Sequence, residues 1–174
     1  MLSSIQKDYA IIDKVAAECL GKLTGTNIIK DIALSAEIAG LMLLRTSKVD
    51  LSKLPPGNVI LGAISDDTYE QIQHFIVGWA VSNGLDSKEI AKVKIPDPVK
   101  NYIPEVTQFE HAFYEICRSH ETKAEYYPFI AISSAMKLVL AGEKMGLLNA
   151  KVGQAIVLYH IICGSKTVPY LLST

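Results

Sequence analysis

Apolar residues along this chain recur at spacings of three and four far more often than they alternate. That period places them on one side of a helix rather than one face of a strand. The first run is expected to start at a Ser3 or Ser4 cap. It lines up Ile5, Tyr9, Ile12, Val15 and Cys19, and it stops at Gly21. A second run, capped by Thr26 or Asn27, continues to about Arg45. Pro55-Pro56-Gly57 then breaks the pattern, since proline can neither donate a backbone N–H nor fit a helix interior. VILGAI at 59–64 has the length of a strand but no evident partner, so a short buried helix is expected there. Ser65-Asp66-Asp67 followed by Glu70 is a helix-start signature, and Asn83-Gly84 is a stop. Asp86 and Glu89 open a short helix reaching about Val93. Three longer helices follow at about 105–120, 127–145 and 150–163, the last capped by Asn149 and ended by Gly164. The pattern predicts an all-α fold: residues 1–174 as a single-domain helical bundle of six to eight helices.

Internal structure is hinted at in two ways. Pro96, Pro98 and Pro104 make 94–104 the one credible hinge, separating 1–93 from 105–174. A shift of 98 residues superposes Cys19 on Cys117, and Ile32, Ala33 and Ser35 on Ile130, Ala131 and Ser133. This excess of matches suggests two pseudo-symmetric halves without establishing a duplication. Small residues form a stripe at Ala33, Ala36 and Gly40 and another at Ala131, Ala135 and Gly142, so these two helices are expected to pack on each other at close range.

Composition narrows the classes. Hydrophobic residues make up 49% of the 174, charged residues 20%, and the net charge is −1. A chain of this length and apolarity buries its own core without a metal or disulfide staple. It has no basic face for phosphates; Lys88, Lys92, Lys94 and Lys100 are interrupted by Glu89 and Asp97, so nucleic acid is not an expected partner. Three dispersed cysteines form no C-x-x-C pair and read as buried thiols in a reducing compartment. The start, MLSSIQKDYA, lacks the form of a signal peptide. The apolar run VGQAIVLYHIICGS, at 14 residues, falls short of the ~18–20 that span a bilayer. The expectation is a cytoplasmic protein with no membrane segment.

Candidate chemistry concentrates in FEHAFYEICRSHE, residues 109–121. On a helical wheel, Phe109, Phe113, Ile116, Cys117 and His120 share the apolar side, and His111, Glu115 and Arg118 lie opposite. The two histidines thus cannot bind one ion. His111 with Glu115 remains a weak metal-ligand alternative, as does Glu70 with His74, because the chain contains no E-x-x-H spacing of the di-iron kind. His120 is expected to point inward. His160, within an almost wholly apolar helix, is the second histidine expected to be buried. Glu37 is the lone charge between Ile32 and Leu44, and the simplest reading gives it a narrow strip of solvent; buried, it would be a candidate acid or ligand. His74, Val77 and Val81 share the outer face of their helix, where two valines hint at a contact. No phosphate loop or nucleophile motif is present.

These features lead first to a non-enzymatic helical protein acting through protein–protein contacts, as a homodimer or an adaptor, without a cofactor. A second expectation is a cavity for a small apolar or aromatic ligand, lined by Phe113, Trp79, Tyr159 and Met136, with His120 and His160 as a buried polar pair. A metal-dependent helical-bundle enzyme is the third.

Overall fold

The computed structural model describes residues 8–23, 25, 27–95 and 103–169. Among them are six α-helices and no strand: α1 (Tyr9–Leu23), α2 (Ile28–Thr46), α3 (Asp66–Ser82), α4 (Ile103–Ser119), α5 (Tyr127–Lys144) and α6 (Ala150–Lys166). The expected start at Ser3 or Ser4 and the centre of the 94–104 hinge lie outside the described residues. Helix ends follow local chemistry. Asn27 caps α2 by accepting from the N–H groups of Ile29 and Lys30, Ser65 caps α3 through Thr68 N–H, and Asn149 caps α6 through Lys151 N–H. Gly84, at φ +77°, turns the chain out of α3 where a side chain would be strained.

α2 is the axle of the fold. Every residue from Asp31 to Leu44 is buried, so this helix has no solvent face. α6 and α5 pack against it most extensively, α4 closes another side, α1 lies on α5 and α4, and α3 rests on α5. A helix apolar nearly all round must be enclosed on every side, and the sequence of α2 meets that condition except at Asp31 and Glu37.

The small-residue stripes resolve differently from expectation. α2 and α5 do touch, but the closest approach of α2 is to α6. A Cβ built on Gly40 would sit 2.2 Å from Ile161 O and 2.6 Å from Ser165 N, and one on Gly164 would sit 2.3 Å from Glu37 O. Two glycines therefore let backbone meet backbone. This also explains why α6 runs through Gly164 to Lys166 instead of ending there: that glycine serves the crossing, not a cap.

Two short segments depart from expectation. Residues 59–64 are not a buried helix. Val59 forms an isolated antiparallel bridge with Thr167, reinforced by Gly57 N–H to Val168 O (2.8 Å) and Val168 N–H to Asn58 O (2.9 Å). Val59 and Leu61 are exposed, and Gly62 at φ +74° prevents helical continuation. The helix expected from Asp86 to Val93 shrinks to a single 3-10 turn at Ile90–Lys92. There the chain is tied to α6 instead, with Gln154 donating to Asp86 O (2.9 Å) and Ser87 Oγ donating to Gln154 Oε1 (2.8 Å).

Candidate functional site

Glu37 has no solvent strip. It is 2% exposed, His160 is fully enclosed, and the two share a 2.7 Å hydrogen bond between Oε1 and Nδ1. The expectation of a solvated Glu37 fails because α2 is covered on every side, and a charge in such a helix needs a partner from another helix. The Gly40/Gly164 crossing sets that partner at hydrogen-bond distance. Beside the pair lies a cavity of about 20 Å³, lined by Glu37, Leu41, Thr107, Cys163 and Thr167. Its size is on the scale of one water molecule. Burial, then the Glu37 carboxylate, push the Cys163 thiol up, so this cysteine is not an activated nucleophile.

His120 is not an inward core histidine. It sits just beyond the end of α4, where the helical wheel no longer applies, with its side chain 22% exposed. Its Nε2 lies 2.6 Å from Glu18 Oε2 on α1, and Lys22 Nζ holds the other oxygen at 3.0 Å. Together, first the hydrogen bond with His120 and then that with Lys22 pull the Glu18 carboxyl below its ordinary range. The two histidines are thus placed apart, His120 between α1 and α4 and His160 between α2 and α6, each with its own glutamate.

Phe113, Met136 and Trp79 are 1%, 0% and 3% exposed, and all three belong to the central core. Phe113 stacks edge-on against Tyr127 with ring centroids 6.1 Å apart. On α3, His74 and Val81 are exposed and Val77 is half-buried. His111 and Glu70 are exposed, and Glu115 pairs with Arg118 at 3.4 Å. Among the described residues no group of three or more His, Cys, Asp or Glu side chains is placed to hold a metal ion, and no helix is long and apolar enough to cross a membrane.

Of the six expected cavity residues, Tyr159 borders a sizeable groove. That groove has a volume of about 450 Å³ and lies between α3 and α6, with the 90–95 segment along its rim. Its walls include Ile72, Ile90, Val93, Leu158, Tyr159 and Ile162. Ile162 is 41% exposed, an apolar side chain left partly open to water. Polar groups gather around Asp66, Tyr69, Gln73 and Lys166. Tyr69 Oη bonds Ser165 Oγ at 2.7 Å, and the Lys166 ammonium lies 5.9 Å from the Tyr69 ring centroid. Volume and lining both fall within the usual range for small-molecule sites.

Sequence reasoning passed over two other features. Arg45 and Glu110 form a two-point ion pair between α2 and α4, at 2.7 and 3.1 Å, with Glu110 only 6% exposed. Glu110 stands directly beside His111 in the stretch that drew attention, yet a single wheel does not show that an arginine from 65 positions earlier comes to meet it. The groove itself has no local signal either, because its walls come from three separate segments.

Comparison with protein-family models, with curated proteins and with solved structures finds no match to this chain.

Proposed function

We propose that this protein binds a small apolar or aromatic ligand in the groove between α3 and α6. The observation that supports this reading is the groove itself: about 450 Å³, walled mainly by aliphatic and aromatic side chains, with a few polar groups among them. Such a groove leaves apolar surface in water, and an apolar guest removes it at roughly 25 cal/mol per Å². The buried Glu37–His160 pair lies on the opposite side of α6 and serves to fix the α2–α6 crossing that forms the groove's back wall. The test is titration of the full chain with N-phenylnaphthylamine, an uncharged aromatic dye that brightens in apolar surroundings. One saturable site is expected, lost in Ile162→Asp, a substitution at a side chain already 41% exposed. A signal that does not saturate, or that is the same in Ile162→Asp, overturns the reading.

A second reading, contact with a protein partner or a second copy, draws on the outer face of α3. Val81 is 64% exposed there beside half-buried Val77 and exposed His74. Light scattering across a concentration series tests it, and a mass fixed at one chain's value argues against self-association.

A further inference from the structure

We infer that the α3–α6 groove selects ligands that carry a single anionic head on an apolar body, such as a medium-chain or aromatic carboxylate, and that Lys166 reads the head. The inference rests on the groove reading above and adds the chemistry of the guest. Among the described residues, two charged side chains border the groove, Asp66 and Lys166. They are not equivalent. Asp66 is exposed at the first turn of α3, where the N–H groups of the helix end already favour a carboxylate in water. Lys166 is half-buried at the last turn of α6, and its ammonium is set over the Tyr69 ring, itself part of the groove wall. Among the described residues no carboxylate lies within 4.0 Å of the Lys166 ammonium. A half-buried cation beside an apolar trough, steadied by an aromatic face, is matched by a guest whose carboxylate pairs with it while its apolar part covers Leu158, Val93 and Ile162. Tyr69 is the positioning residue: its hydroxyl is anchored to Ser165 Oγ, which keeps the ring under the ammonium.

Isothermal titration of the full chain with decanoate, decanol and decylamine separates the possibilities. Decanoate is expected to bind about tenfold more tightly than decanol, the scale of one partly exposed charge-assisted hydrogen bond. Lys166→Met should bring decanoate down to the affinity of decanol and leave decanol unchanged, while Lys166→Arg keeps the preference. Lys166→Gln provides a second neutral variant should Lys166→Met alter the melting temperature. Equal binding of decanoate and decanol, unaffected by Lys166→Met, leaves the groove in place and overturns the role of Lys166. Tighter binding of decylamine overturns it too, and assigns the head to Asp66. If none of the three binds, the groove reading falls with it.

Discussion

Replacing Gly40 by alanine adds one methyl group where two helix backbones touch. The new Cβ would lie 2.2 Å from Ile161 O and 2.6 Å from Ser165 N, against an ordinary contact of 3.4 Å or more. Neither neighbour is a side-chain tip that could swing aside, so α2 and α6 must part by about 1 Å, a gap at which facing atoms forfeit a quarter to a half of their attraction. Overpacking of this kind costs about 1–3 kcal/mol. The same movement stretches the 2.7 Å Glu37–His160 bond, and complete loss of a buried pair costs a further ~3–5 kcal/mol. Alanine's better helix propensity returns about 1 kcal/mol. With the pair fully lost, the net cost is about 3–7 kcal/mol, a large part of the ~5–15 kcal/mol that typically holds a domain folded. Urea denaturation followed by circular dichroism measures it. Gly78→Ala is the control: it sits on α3 with nothing within 4 Å of the added carbon, and it should gain up to about 1 kcal/mol. Gly164→Ala meets Glu37 O at 2.3 Å on the same crossing, so one separation of the helices relieves both clashes. The Gly40→Ala/Gly164→Ala double variant should therefore cost clearly less than the sum of the two. A Gly40→Ala midpoint within 1 kcal/mol of the parent, or strictly additive singles, refutes direct backbone contact at this crossing.

Two further outcomes follow from buried chemistry. Glu37→Leu or His160→Phe alone strands its partner in the core and is expected to cost about 3–5 kcal/mol, whereas the double replacement should cost less than either single change, because an apolar pair of similar volume leaves no charge behind; additive penalties in a denaturation cycle would show that the pair is not coupled. Burial raises the thiols of Cys19 and Cys117 to about 12, so at neutral pH almost no thiolate forms at either. Iodoacetamide labelling read by mass spectrometry should modify half-buried Cys163 first and reach Cys19 and Cys117 only on unfolding; early labelling of Cys117 would contradict the packing of α4.

What could be read from the sequence was whatever depends on neighbours along the chain. The caps at Asn27 and Asn149, the stop at Asn83-Gly84 and the apolar stripe of α4 are settled within one or two helical turns, and they came out as expected. Failures cluster where a distant segment decides. The wheel gives Glu37 a narrow strip of solvent, but covering that strip is α6, more than 120 positions later. His120 was carried inward by extending a helical period past Ser119, the residue at which the helix ends. Gly164 has the form of a stop signal; only its contact with Glu37 O reveals it as a spacer. Residues 86–93 carry the polar starts of a helix, but Gln154 claims the Asp86 carbonyl that a helix would have used. The groove was the least legible feature, since Ile72, Val93 and Leu158 line one surface only after the bundle has closed.

The enclosure of α2 has a consequence for how the chain is made. Its principal cover, α6, emerges from synthesis more than 100 residues after it, and until α4 and α5 are made none of the helices that pack extensively on α2 is present. A nascent chain stopped short of residue 150 would display the surface that Ile161 and Gly164 normally occupy. Such chains would be substrates for holding chaperones or for aggregation, and the timing of release, rather than any single contact in the finished fold, would govern the yield of native protein.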